Sequence, residues 1–214
     1  METEECVFQI TKQQMSTLKL QATSPEGTRL STFEVQAGHV WRSVCKARGL
    51  ADDDDVKPYI PIDGRSRLKD RTLPQNYCGN ILLHAVCVEK VRDVTTKPLW
   101  FAATKVREAV KKLDDIEYLR SSIDYVESHP DIAAITLGPH TFTSPNLTIN
   151  SWARLPCFEA DFGLDGPKFV EINGIKYEGI TYITSSPNGD GSFLVAIKLF
   201  TPDMILFKNY FYNF

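Results

Sequence analysis

The stretch Ser31–Leu50, STFEVQAGHVWRSVCKARGL, spells out a complete helix with both of its ends. Ser31 and Glu34 stand at capping-box spacing: the serine hydroxyl accepts from the Glu34 amide, and the Glu34 carboxylate reaches back to the Ser31 amide. Lys46 and Arg48 fall in the last turn, where a cation meets the negative end of the helix, and Gly49 follows as the stop. Phe33, Ala37, Val40, Trp41, Val44 and Cys45 recur at helical spacing and share an apolar face. The spacing therefore predicts a helix over about 32–48 that lies on a core.

Working outward from it, Thr11 caps an earlier helix through about Ala22, with Met15 and Leu18 on one face, after a short apolar piece at 7–10. Pro25 and Gly27 break it. Downstream, 59–63 and 81–88 read as strands joined by a long polar segment, 64–80, and segments of that length are often functional. The four aspartates Asp52 to Asp55 read as a solvated loop, without the alternation of a calcium loop. Helices follow over about 98–113, started by Thr95 or Thr96 before Pro98, and over about 116–127. Beyond Pro130 the pattern becomes β: 147–155, 168–172, 176–183 and 193–200 are strand-like, with turn signals at Asn173-Gly174 and 187–191. Thr201-Pro202-Asp203 opens a closing helix to about Tyr212. No repeat or linker interrupts the chain. The expectation is one α/β unit over 1–214 in which helices cover a mixed or largely antiparallel sheet.

Composition narrows the class of function. The 214 residues are 43% hydrophobic and 24% charged, which fits a folded core and argues against disorder. The net charge of -3, from 24 Lys+Arg against 27 Asp+Glu, leaves no basic excess for a phosphate backbone, so nucleic acid is not an expected partner. Five cysteines without a C-x-x-C pair give no metal or disulfide framework and read as reduced thiols. The opening METEECVF is acidic and precedes no apolar run, and no stretch reaches the roughly 18 apolar residues of a membrane span. The expected location is the cytoplasm, away from a membrane.

Catalytic chemistry is hard to find by inspection. The four histidines, His39, His84, His129 and His140, lie in a helix, a strand, a helix end and a loop, and each reads as structural or solvent-exposed. No nucleophile elbow, phosphate-cradling Gly-rich loop or His-Glu-x-x-His pair is present. Two segments do concentrate unusual residues. Asp161-Phe162-Gly163-Leu164-Asp165-Gly166-Pro167 must form a tight turn, and Asp63-Gly64-Arg65-Ser66-Arg67 sets two guanidinium groups on one side of an extended piece. An Asp of the first and an Arg of the second are able to form a bidentate pair. Spacing alone leaves that reading and a solvated loop equally open for both segments.

Six ordered blocks, spread over nearly the whole chain, supply a resemblance. They are Ser31-Thr32-Phe33-Glu34, the run Ala37 to Leu50, Asp63-Gly64-Arg65-Ser66-Arg67-Leu68, Tyr77-Cys78-Gly79-Asn80, Asn150-Ser151-Trp152-Ala153-Arg154-Leu155-Pro156, and the segment opened by Asp161-Phe162-Gly163. Together they resemble the C-terminal half of the plant BAHD acyltransferases, especially the hydroxycinnamoyl-CoA shikimate/quinate hydroxycinnamoyltransferases and the anthranilate N-hydroxycinnamoyl/benzoyltransferases. The resemblance implies the fold of a CoA-dependent acyltransferase half. It also implies transfer of a hydroxycinnamoyl or benzoyl group from its CoA thioester to an alcohol or amine, in phenylpropanoid metabolism. Acyl-CoA is then a co-substrate, and no permanently bound cofactor or metal is implied. The family's general base is the histidine of a His-x-x-x-Asp motif in the N-terminal half. Here the residues four after each histidine are Ser43, Val88, Ala133 and Ser144, so the base is expected from an absent half and the chain alone is expected to be inactive. The alternative is a non-catalytic remnant, or a module that binds CoA or a partner.

The resemblance carries over residue by residue. Asp161 and Gly163 match the Asp-Phe-Gly-Trp-Gly motif, although Leu164 and Asp165 stand where Trp and Gly are expected. Asp161 is sometimes counted with the family's active site; its resemblance-based role here is a scaffold pair with Arg65, since a carboxylate held by a guanidinium is a poor base. Trp152 corresponds to a tryptophan lining the acceptor pocket. Leu137 and Asn150 align with the arginine and threonine that hold shikimate, and Leu137 has no group for a carboxylate, which disfavours shikimate. Ser31, Thr32 and Asn80 match segments beside the CoA channel.

Overall fold

The computed structural model of the chain describes residues 1–65, 67, 77–135, 138–163, 167, 170 and 172–214. Strand β1 (Thr3–Ile10) leads into helix α1 (Lys12–Gln21) and the long helix α2 (Thr32–Arg48). Strands β2 (Asp55–Val56), β3 (Pro58–Asp63), β4 (Leu82–Val86) and β5 (Glu89–Lys90) follow. Next come α3 (Val91–Thr96), α4 (Leu99–Lys112), α5 (Ile116–Ser128), α6 (Ile132–Ile135) and α7 (Pro139–Phe142). The chain closes through β6 (Leu147–Ser151), β7 (Ile180–Ser185), β8 (Phe193–Phe200) and α8 (Thr201–Phe211).

Six strands form one sheet in the order β1-β8-β7-β6-β3-β4, while β2 and β5 pair separately. The β3–β6 and β6–β7 pairs are parallel and the other three are antiparallel, so the sheet is mixed, as expected. Alternation sets which face is buried. Val195, Ile197 and Leu199 of β8, Phe8 and Ile10 of β1, and Leu147 and Ile149 of β6 join Trp41, Val40 and Val44 of α2 in one core.

Helix α2 has the ends its sequence spells. Ser31 Oγ accepts from Glu34 N at 3.2 Å, Glu34 Oε2 accepts from Ser31 N at 2.6 Å, and Gly49 takes the left-handed conformation, φ 54°. Its burial exceeds the single face expected. Val35, Gln36, Gly38, His39, Ser43 and Ala47 are buried along with the apolar face, because α4 and α8 pack against the sides turned away from the sheet. Gly38 marks the crossing with α4. A Cβ there would stand 2.7 Å from Ala103 N and 3.0 Å from its Cα, so the missing side chain lets the two backbones approach.

Other elements differ from the sequence reading for identifiable reasons. The short apolar piece at 7–10 is the end of an eight-residue strand, whose first half is held by full-length pairing with β8 while only Phe8 and Ile10 are buried. Thr95 and Thr96 end α3 instead of starting α4, and Thr95 Oγ1 donates back to Val91 O at 2.9 Å. The strand expected over 176–183 starts at Ile180. Before it, Gly179 (φ 83°) donates its amide to Lys198 O at 2.8 Å, and no ladder forms over the described residues 172–178. Gly174 has the expected turn conformation, φ 69°, but not the expected hairpin, and most of the strand expected over 168–172 lies outside the described residues.

A buried ion pair ties the end of α2 to the loops that introduce β6 and β7. Arg48 Nη2 meets Glu178 Oε1 at 2.5 Å, with the two side chains only 1% and 3% exposed. Arg48 Nη1 donates to the carbonyls of Pro145 (3.0 Å) and Asn146 (2.7 Å), and Glu178 Oε2 accepts from Ser144 N at 2.9 Å. Both charges thus have several partners, the condition under which a buried pair is tolerated. Among the described residues no helix is long and apolar enough to cross a membrane.

Candidate functional site

The three mutually parallel strands β3, β6 and β7 end at Asp63, Ser151 and Ser185, on the same side of the sheet. Beyond the carboxyl ends of parallel strands is where α/β sheets gather ligands. The segments singled out in the sequence as Asp63–Arg67 and Asn150–Pro156 both start at this edge.

Just past β6, Trp152 is fixed by its amide, which donates to Ile183 O at 2.8 Å, and its ring meets Tyr182 edge-on at 5.1 Å. It lines a small apolar pocket of about 20 Å³ with Leu155, Cys157, Phe158 and Leu194. Asn150, two residues earlier on the same face of β6, donates from Nδ2 to Thr181 O at 3.2 Å, so that its amide braces the β6–β7 pair. Leu137 lies outside the described residues.

Arg154, two residues on from Trp152, reaches a second hollow of about 530 Å³. Its other polar lining comes from Lys19, Thr28, Arg29, Ser31 and Thr32. Next to it, a shallower cleft of about 460 Å³ shares Arg29 and Ser31 and adds Glu34, Arg67, Arg107 and Lys111. Six basic side chains therefore surround the start of α2, against two carboxylates, that of Glu34, engaged in the capping box, and that of Asp114. Arg67 is paired with Asp114, and Arg107 donates to Arg29 O. Among the described residues Lys19, Arg29, Lys111 and Arg154 form no ion pair. Such a rim is suited to a polyanion such as a phosphorylated nucleotide. Ser31 and Thr32 thus stand together at this rim. Asn80 does not line it; its Oδ1 accepts from Leu82 N at 3.2 Å and opens β4.

Arg65 is engaged within its own loop. Its Nη1 meets Asp63 Oδ1 at 3.0 Å, its Nε donates to Tyr77 O at 3.2 Å, and Nη2 donates to Gly79 O. An acceptor two residues away requires no closure of a long loop. Asp161 Oδ1 accepts from Gly163 N at 2.7 Å, closing a tight turn that Gly163 makes with φ 84°, while Phe162 between them is 91% exposed. The turn expected of this segment is present over its described part; Leu164, Asp165 and Gly166 lie outside the described residues.

No histidine whose side chain is described lines the Trp152 pocket or the two basic clefts. His39 is buried on α2 with Nε2 donating to Phe211 O at 2.8 Å, and burial pulls its pKa down to about 4. Burial also lowers that of His84. His129 ends α5 and accepts from Asp131 N at 3.1 Å. Among the described residues no group of three or more His, Cys, Asp or Glu is placed to hold a metal ion. The basic rim escaped the sequence reading because Lys19, Arg29, Arg154 and the α4 pair Arg107 and Lys111 come from separate parts of the chain.

A family model described as the Transferase family matches residues 1–214. Anthranilate N-benzoyltransferase protein 2 of Dianthus caryophyllus is 48% identical over 211 residues, covering 97% of this chain and 47% of that relative. Shikimate O-hydroxycinnamoyltransferase of Nicotiana tabacum is 45% identical over 214 residues, covering 100% of this chain and 49% of that relative. Among solved structures, F. sporotrichioides TRI101 complexed with coenzyme A and T-2 superimposes with a TM-score of 0.83 at 22% identity, over 97% of this chain and 48% of that one. Vinorine synthase gives 0.73 at 16% identity, over 96% and 46%. The chain spans about half the length of the curated relatives it matches. With an α/β sheet of this order and a match running from the first residue to the last, the chain belongs to the Transferase family of BAHD acyltransferases.

Proposed function

We propose that this chain is the CoA-holding, acceptor-shaping half of an acyltransferase that moves a hydroxycinnamoyl or benzoyl group from its CoA thioester to an alcohol or amine. The observation that carries the reading is the juxtaposition at one sheet edge of the basic rim around Ser31 with the apolar Trp152 pocket, linked by Arg154. The phosphates of CoA suit Lys19, Arg29 and Arg154; a flat acyl or acceptor ring suits Trp152.

In the reaction, the acceptor oxygen or nitrogen attacks the thioester carbonyl carbon and forms the new ester or amide bond. Its proton passes to a general base, the C–S bond breaks, and CoA leaves as the thiol. This chain's residues bind and orient. His39 does not serve as that base, since its Nε2 hydrogen is committed to a carbonyl and its ring is enclosed in the core. The base is therefore assigned to a second half of the enzyme, and the chain by itself is inactive.

Calorimetry with CoA and an assay with coumaroyl-CoA and either shikimate or anthranilate test this together. The chain alone binds CoA, more weakly as salt rises, and turns nothing over. Joined to the N-terminal half of the Nicotiana relative, it transfers the acyl group. Turnover by the isolated chain, or failure to bind CoA, overturns the proposal. CoA binding without turnover in the joined protein indicates a non-catalytic remnant.

A further inference from the structure

A second cavity, of about 400 Å³, opens where α2 passes between the start of α4 and the end of α8. It is separate from the clefts at the α2 N-terminus and shares no lining residue with them. Two cations face it, Arg42 and Lys46, one helical turn apart on α2. Neither has a carboxylate partner among the described residues. Arg42 gives one donor, Nη2, to Thr95 O at 3.2 Å, which fixes the guanidinium plane. Like charges at this spacing repel each other. Partial burial removes the water that would screen them, and it pulls down the pKa of both; the charge of Arg42 lowers that of Lys46 further.

The rest of the lining has aromatic and polar character. Lys46 Nζ lies 5.9 Å from the centre of the Tyr210 ring, and Phe214 stacks on His39 at 5.5 Å. Asn213 supplies a further amide at the rim. Two cations short of a counter-charge beside the Tyr210 and Phe214 rings describe a receptor for a flat molecule carrying one oxyanion group. The volume is right for a single-ring molecule with space for water.

We propose that this cavity is a binding site for a small aromatic oxyanion, a carboxylate or phosphate monoester, held by Arg42 and Lys46 with its ring against Tyr210 and Phe214. The site lies outside the acyl-transfer edge, so its ligand is an effector or carried molecule rather than the CoA substrate.

Binding of benzoate, phenyl phosphate, inorganic phosphate and benzyl alcohol to the full chain, followed by NMR of the His39 ring and by calorimetry, tests the proposal. Benzoate or phenyl phosphate binds saturably and shifts the His39 ring signals, and the stronger of the two identifies the head group. Inorganic phosphate and benzyl alcohol bind at least about tenfold more weakly, because each lacks one of the two contacts. Lys46→Gln weakens the aromatic anion about tenfold or more, whereas Arg154→Gln, at the other cleft, leaves it unchanged. Circular dichroism checks that Lys46→Gln stays folded, and Lys46→Arg, which keeps the charge, restores binding if the lysine acts through it. No saturable binding by either aromatic anion, equal binding by inorganic phosphate, or equal binding by Lys46→Gln overturns the proposal.

Discussion

His39 shows how a titratable side chain in the middle of a core acts on the whole molecule. Its folded pKa of about 4 lies below the ordinary value of 6.5, chiefly because burial penalises the imidazolium. The unfolded chain therefore binds more protons as pH falls through 6.5, and stability declines from there until about pH 4, below which both states are protonated. The gap corresponds to about 3 kcal/mol. Urea unfolding at pH 7 and pH 4 should show this loss, and His39→Leu should reduce the dependence over that window. The thiols divide in a similar manner. Burial pushes Cys45 and Cys87 up to about 12, whereas Cys78 is exposed. At pH 8 a thiol reagent should label Cys78 in seconds to minutes and leave Cys45 and Cys87 protected until the chain unfolds, as mass spectrometry of the peptides will read. None of this follows from residue type: the same histidine on an exposed face of the helix would titrate near 6.5.

At the scale of elements, α2 is the part of the fold most legible in the sequence, because its start, its stop and its inward face are all encoded within twenty residues. Its contacts with α4 are not. Gly38 looks like a weak point in a helix until the Ala103 backbone is seen against it. Gly38→Ala should then destabilise by about 2 kcal/mol, although alanine is the better helix former, since the added methyl must push α4 away. A thermal melt decides the sign. The Arg48–Glu178 pair is a second contact that no spacing announces, its partners standing 130 positions apart. Glu178→Gln leaves a buried guanidinium without its charge partner and should cost about 3–5 kcal/mol. If the two act as a unit, Arg48→Met together with Glu178→Gln should cost clearly less than the sum of the single changes in a double-mutant cycle.

Over the whole molecule, parallel strands arriving from distant parts of the chain bring the Asp63–Arg67 loop and Trp152 to one edge, and the α1–α2 loop adds the basic rim. Arg154 sits between the apolar pocket and that rim. Arg154→Gln should raise the dissociation constant for CoA about tenfold at low salt and by less at high salt, where exposed charges are screened. Calorimetry at two ionic strengths reads both. Ser31 and Thr32 at the rim and Trp152 in the pocket were legible through the six blocks of sequence. No histidine of this sequence is followed four residues later by aspartate, which the sequence shows directly. The partners of Arg65 were not legible, because a motif names residues that recur together without saying which of several nearby acceptors a guanidinium takes.

What the sequence determined by itself is local: the caps and ends of α2, the turn at Gly163, the strands that begin at Leu147 and Phe193, and the family through motifs preserved in order. Each depends on interactions within a few residues, or on identity alone. Only the tertiary structure decided the mixed sheet order, the burial of α2 on nearly every side, the neutral His39, the Arg48–Glu178 pair and the two separate clusters of cations. These depend on which distant segments pack together and exclude water, and that free energy is a sum over the whole core, not a property of any one stretch.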